Sequence, residues 1–143
     1  DFTNLAKEVG FADPRIVDSR RLTIENTAVQ EKTEGYRFYS VSYRLFKLPE
    51  LEAACEDYGQ AVKYLGGLEE EPLQFTLDDH HVFEKGKVMP VCGNTWCMLA
   101  NTRYRSFFEF YGNFENHYGI FEGCGTVIPY DENMDTADSQ GCC

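Results

Sequence analysis

Three kinds of feature are missing from this chain, and each absence closes a class of function. No apolar run approaches the roughly 20 residues that a membrane-crossing helix needs, so no transmembrane helix is expected. None of the 12 glycines falls in a G-x-G-x-x-G turn, and no G-x-x-x-x-G-K-[ST] or G-x-S-x-G segment occurs. A self-contained nucleotide, phosphate-loop or serine-nucleophile apparatus is therefore not visible. Positive charge is scarce as well. The net charge is −11, from 13 Lys/Arg against 24 Asp/Glu. Residues 1–47 hold eight of the basic and seven of the acidic side chains, which leaves five against seventeen for the rest. Nucleic-acid affinity is built largely on neutralising phosphates, and anionic membrane surfaces make the same demand. Neither partner is expected.

Aromatic residues are abundant, at 15% of the chain within 43% hydrophobic residues. That composition belongs to a folded domain. A length of 143 residues suffices for one core and is short for two. Six cysteines, at 55, 92, 97, 124, 142 and 143, raise the alternative of a disulfide scaffold. Their irregular spacing and the aromatic core argue instead for reduced thiols in a cytoplasmic protein.

Periodicity supplies the elements. Phe2, Leu5, Ala6 and Val9 form a helical stripe, with Gly10 and Pro14 to end it. RIVDSRRLTI reads as an edge strand, and ENTAVQEKTEG as a polar connector. YRFYSVSYRLFKL alternates with apolar residues on both faces, which predicts a central strand. A strand is expected from Tyr58 to Leu65, closed by Gly66 and Gly67, then a short one at QFTL and an extended run to Val91. A second helix starts with Asn94 as cap and carries Trp96, Leu99, Ala100 and Tyr104 on its stripe. FFEFYGN and GIFEGCGTVIPY each hold a candidate strand, and an acidic tail runs from Asp131. Strands in succession with few helices predict an α+β fold, mostly antiparallel sheet with one or two packed helices.

Three groups of residues could carry chemistry. Asp78, Asp79, His80 and His81 include metal-ligand types, but neighbours on an extended chain point to opposite faces, so a polar turn is the expected role. Cys92 and Cys97 have a spacing open to zinc, yet Cys97 borders the stripe of the second helix, and packing as a small hydrophobe is expected. Cys142 and Cys143 are adjacent soft ligands on an acidic tail, suited to a thiophilic ion or metalloid.

The stretch RFYSVSYRLFKLPELEAACEDYGQAVKYLGG, with LDDHHVFEKGKVMPVCGNTWCMLANTRY and the terminal GCC, closely resembles the C-terminal part of the arsenite S-adenosylmethionine methyltransferases. The resemblance runs from Asp1 to about Tyr118, and EDYGQ, YLGG and GNTWCML carry it. It implies that residues 1–24 are the last helix and a late strand of a Rossmann-like methyltransferase domain, 25–130 a C-terminal α+β domain, and 131–143 a cysteine-containing tail. It implies S-adenosylmethionine bound by an upstream domain, a thiol reductant, and trivalent arsenic as substrate. The partner would be the protein's own N-terminal methyltransferase domain, and the fragment alone would be inactive. In the family the resemblance points to, arsenic is held by cysteine thiolates of the N-terminal domain; those arsenic-binding cysteines and the glycine-rich cofactor loop precede the matched segment, so no catalytic or cofactor-binding residue is assigned to this sequence. Cys142 and Cys143 match the family's cysteine-rich tail in kind and are the candidate ligands for arsenic. The alternative is a stand-alone cysteine-based metal or metalloid module that uses this tail with Cys92 or Cys124.

Overall fold

A computed structural model describes residues 2–124. In chain order the elements are α1 (Phe2–Glu8), β1 (Arg15–Arg21), α2 (Thr27–Lys32), β2 (Tyr39–Arg44), β3 (Glu56–Asp57), β4 (Gln60–Tyr64), β5 (Gln74–Thr76), β6 (Val82–Glu84), β7 (Val88–Val91), α3 (Gly93–Ala100), β8 (Phe108–Tyr111) and β9 (Gly119–Ile120). Every named strand pair is antiparallel. The mixed helix and antiparallel-sheet class expected from the sequence is what forms. No helix among the described residues is long and apolar enough to cross a membrane.

The sheet β7-β4-β8 is the scaffold. Along β4 burial alternates, with Gln60, Val62 and Tyr64 pointing inward, as period-two geometry requires. Beyond β4 the chain turns through Gly66 and Gly67, both at positive φ, which a Cβ would oppose. Phe75 from β5 and Phe83 from β6 cover the same face, and rings interlock there: Tyr64 with Phe108 at 5.1 Å, Phe75 with Tyr104 at 4.8 Å, Phe83 edge-on to Phe108 at 5.4 Å. Tilted and edge-on ring pairs of this kind add to simple area burial. Met98 and Leu99 of α3 close the core with no exposed surface.

Four expectations need correction. The stripe of α1 does not face the core: Ala6 is buried, but Phe2, Leu5 and Val9 are about half exposed or more. A seven-residue helix offers one narrow contact, and here Ala6 makes it. The connector 25–35 contains a helix, α2, because the Asn26 side chain caps it by accepting from the Val29 N–H at 3.1 Å. It buries no residue and so leaves no apolar stripe in the sequence. Strand β2 is not central; it pairs only with β1, in a two-stranded ribbon. Its aromatic alternation on both faces reflects two half-covered sides rather than a sheet interior, since none of its residues is fully buried. Finally, α3 is capped by Cys92 instead of Asn94, and it stops at Ala100, so Tyr104 is buried from beyond the helix.

Candidate metal centre

Strand pairing brings three distant cysteines together. Cys55 directly precedes β3, whose residues Glu56 and Asp57 pair with Ile120 and Gly119 of β9. The ladder extends one step as the Phe121 N–H donates to the Cys55 carbonyl at 2.8 Å, and the Cys124 N–H then turns back on the Phe121 carbonyl at 3.4 Å. This places Cys124 beside Cys55. Cys92 follows β7, which is locked to β4 by the Gln60 and Val91 pairing, and sits where the chain enters α3. The three sulfurs lie within 4.8 Å of one another, with Cys124 Sγ and Cys92 Sγ 3.6 Å apart. Among the described residues this is the one group of three ligand-type side chains that converges on a point.

Cys92 is the member whose surroundings favour negative charge most. Its sulfur caps α3 by accepting from the Thr95 N–H at 3.5 Å, and it lies 3.3 Å from Thr95 Oγ1. Hydrogen bonds from Cys124 and Cys55, the Thr95 contact and the nearby Arg15 charge outweigh burial and hold its thiol well below the usual range. The helix N-terminus acts in the same direction. Cys55 is pushed far up by its hydrogen bonds to the other two sulfurs and by burial. For Cys124 the bond from Cys55 pulls down, but its bond to Cys92, burial and the Cys92 charge prevail, leaving it at about 12. Within the trio, negative charge is thus favoured on Cys92 and disfavoured on Cys55 and Cys124. All of Cys55, Cys92, Cys97 and Cys124 are unpaired.

A buried cation backs the cluster. Arg15 from β1 is 5% exposed. It donates to Asp78 at 2.9 Å, Asp13 at 2.7 Å and Thr95 Oγ1 at 3.2 Å, and its Nη2 approaches Cys92 Sγ at 3.9 Å. Burial works against this charge, but Asp13 and the other anions more than restore it, so the guanidinium stays protonated. Cys55 and Cys124 line two cavities: one of about 370 Å³ that also touches Lys7, Asp13 and Asn94, and a small one of about 20 Å³ toward Arg15 and His81.

The other candidates take the roles their surroundings allow. Asp78, Asp79, His80 and His81 form a polar turn, in which Asp78 Oδ1 accepts from the His80 and His81 N–H groups at 2.9 and 2.8 Å and lies 2.7 Å from His81 Nδ1. Cys97 is buried in the core and stays out of the thiol group. Burial and the charges of Glu50 and Glu52 push its thiol up to about 11. Cys142 and Cys143 lie outside the described residues. The packing role expected from the sequence holds for Cys97, whereas Cys92 meets partners 37 and 32 residues away. No local signal announces such a group; the position of each cysteine at a strand or helix end is the nearest thing to one.

The described residues do not form an S-adenosylmethionine site of the Rossmann type. Such a site needs a parallel β-α-β turn with glycines at the ligand. Here the named strands pair only antiparallel, and Gly93 at the strand-to-helix junction is packed against Tyr58, whose ring a Cβ would meet at 3.1 Å.

Comparison with known proteins gives this geometry a family. The chain is 50% identical over its entire length to an arsenite methyltransferase of Aquipseudomonas alcaligenes, of which it covers 41%. It is 32% identical over 112 residues to the arsenite methyltransferase of Rattus norvegicus, covering 77% of this chain and 29% of that protein. Among solved structures it matches an arsenic (III) S-adenosylmethionine methyltransferase from Chlamydomonas reinhardtii with a TM-score of 0.80 at 39% identity, over 85% of this chain and 41% of that one. The chain thus spans about two-fifths or less of the length of these relatives. The model of the arsenite methyltransferase C-terminal domain matches residues 58–143. With more than half of its length inside that match and its fold shared at this level, the chain belongs to the arsenite methyltransferase C-terminal domain family.

Proposed function

We propose that this chain serves as the C-terminal part of an enzyme that moves methyl groups from S-adenosylmethionine to thiolate-bound trivalent arsenic, and that it does not catalyse the transfer alone. The observation that carries the reading is the 50% identity across the whole chain to an arsenite methyltransferase of which it accounts for 41%. The missing cofactor cradle among the described residues agrees with a division of labour in which the methyl donor is held upstream. Residues 1–24 belong to the methyltransferase domain in this proposal, 25–130 form the C-terminal domain, and 131–143 a cysteine-containing tail. A thiol reductant and a cytoplasmic setting belong to the same reading, and the four unpaired cysteines are consistent with them.

Exposed apolar side chains of α1 and of the turn after it, namely Phe2, Leu5 and Val9, offer a surface for the protein's own methyltransferase domain. Mixing the purified chain with the separately produced upstream domain of a relative tests this. Methylated arsenic is expected from the mixture at a higher rate than from the upstream domain, and none from the chain by itself. Product formed by the chain alone, or an unchanged rate at saturating chain, contradicts the proposal. The second reading, a stand-alone cysteine-based metal or metalloid module, draws on the thiol cluster. It predicts that the chain binds its ion equally well with and without the upstream domain.

A further inference from the structure

The three-thiol cluster has no assigned role, and its chemistry is specific. Three sulfurs no more than 4.8 Å apart share a central point at most about 2.8 Å from each, so side-chain shifts of about half an ångström reach the ~2.3 Å of a thiolate–zinc bond, our yardstick for bonds to sulfur. A small cavity of about 20 Å³, lined by Cys55, Cys124 and Arg15, adjoins the cluster. Soft thiolates select soft centres. Which centre follows from the number of donors and from the charge beside them. A closed zinc site takes four ligands, yet among the described residues no fourth cysteine, histidine or carboxylate joins the three sulfurs. Cys92 Sγ instead has the Arg15 guanidinium at 3.9 Å, a neighbour that repels a dication. A trivalent metalloid with a lone pair needs three donors and no more, and its tris-thiolate is neutral.

We propose that Cys55, Cys92 and Cys124 bind one trivalent arsenic through three As–S bonds. The choice of arsenic rests on the proposed function above; the three-thiol site rests on geometry alone. The exchange is balanced without an oxidant or reductant: As(OH)3 and three S–H groups give As(SCys)3 and three waters. At each of the three steps one sulfur forms an As–S bond, one As–O bond breaks, and the thiol proton leaves with the departing hydroxide as water. Arg15, whose Nη2 lies 3.9 Å from Cys92 Sγ, fixes the place of that sulfur and is a positioning residue. The larger cavity of about 370 Å³ bordered by Cys55, Cys124 and Lys7 gives arsenite its way in. Closure ties the turn before β3, the start of α3 and the segment after β9 to one atom.

The test uses the full chain with Cys142→Ser and Cys143→Ser, so that the tail thiols cannot contribute, reduced and metal-free under anaerobic conditions. Arsenite alone is the probe, followed by equilibrium binding and by arsenic K-edge X-ray absorption. One arsenic per chain with three sulfur neighbours and no oxygen neighbour is expected. A third thiol held on the same scaffold raises affinity on the order of 10²–10⁴-fold. Cys55→Ser, at a half-buried position, should therefore weaken binding at least about 100-fold and leave two sulfurs and one oxygen. Cys97→Ala should leave three sulfurs and the affinity unchanged, and far-UV circular dichroism checks that each variant folds. Absence of binding, a two-sulfur site indifferent to Cys55→Ser, or stoichiometric zinc that arsenite cannot displace would overturn the proposal. No methyl donor enters this assay. A three-sulfur site in a protein whose longer form does not methylate refutes the proposed function and spares the site; methylation without the site does the reverse.

Discussion

Replacing Arg15 by Met removes the one cation that the thiol cluster, Asp13 and Asp78 share, with little change in side-chain volume. Its cost can be worked from the contacts. Deleting one partner of a buried ion pair costs about 3–5 kcal/mol, because the other charge is left without compensation. Asp78 keeps its bonds to His81 and to two backbone N–H groups, and Asp13 still accepts from Asn94 Nδ2 at 3.0 Å, so the lower end applies, about 3 kcal/mol. At about 3 °C per kcal/mol for a chain near 150 residues, the thermal midpoint should fall by about 9 °C. In urea, with a slope of about 2 kcal/mol/M, the midpoint should fall by about 1.5 M. Both are read by far-UV circular dichroism on the full chain. Adding Asp78→Asn to Arg15→Met should recover part of the loss, since the uncompensated carboxylate is then gone. A loss under about 1 kcal/mol, or a double variant whose loss is the sum of the two singles, would refute the claim that this network is coupled and buried. Alkylation of Cys92 near pH 6 should also slow in Arg15→Met, as its thiolate loses a neighbouring cation.

Other consequences are equally direct. Burial raises the Asp78 carboxyl, but the hydrogen bond and charge of His81 and the charge of Arg15 outweigh it and bring it from 3.8 to about 2. A carboxyl lowered by folding contributes stability above its unfolded value and loses it as pH drops, so about 2 kcal/mol should be present at pH 5 and disappear between about pH 4 and 2. Asp78→Asn should flatten that part of a stability–pH profile; an unchanged slope would count against the assignment. Gly112 has φ +82, and a Cβ there would lie 3.0 Å from the Gly59 carbonyl oxygen and 3.1 Å from Gln60 Cα. Since backbone cannot move aside as a side-chain tip can, Gly112→Ala should cost about 1–3 kcal/mol, measured by urea unfolding. Leu99 of α3 has no exposed surface, and Leu99→Ala should cost about 2–5 kcal/mol in the same assay.

How much of this was legible beforehand depends on what each residue is buried against. Strand β4 was readable because Val62 and Tyr64 alternate with solvent-facing Lys63, and α1 was readable as a helix because its apolar residues recur at helical spacing and Gly10 ends it at φ +96. The direction that α1 faces was not readable, since periodicity marks a stripe and not what covers it. Helix α2 left no trace because it buries nothing. The cap of α3 was placed at Asn94 on residue preference, whereas Asn94 is spent on Asp13 and on the backbone of Glu52 at 2.9 Å, and the sulfur of Cys92 does the capping. Nothing in the sequence sets Arg15 apart from the exposed Arg20 and Arg21 of the same strand; it is buried against Asp78, 63 residues on. The thiol cluster depends on two strand pairings, β3 with β9 and β4 with β7, that no spacing between cysteines could reveal.

The convergence of Cys55, Cys92 and Cys124 on a single centre is tested most directly by differential alkylation of the unmodified chain. The reduced protein is given one equivalent of arsenite, exposed to an alkylating reagent, and the protected cysteines are mapped by mass spectrometry. Protection of Cys55, Cys92 and Cys124 together, with Cys142 and Cys143 fully alkylated, is the predicted result. Protection of the Cys142 and Cys143 pair with Cys55 and Cys124 left reactive would contradict it.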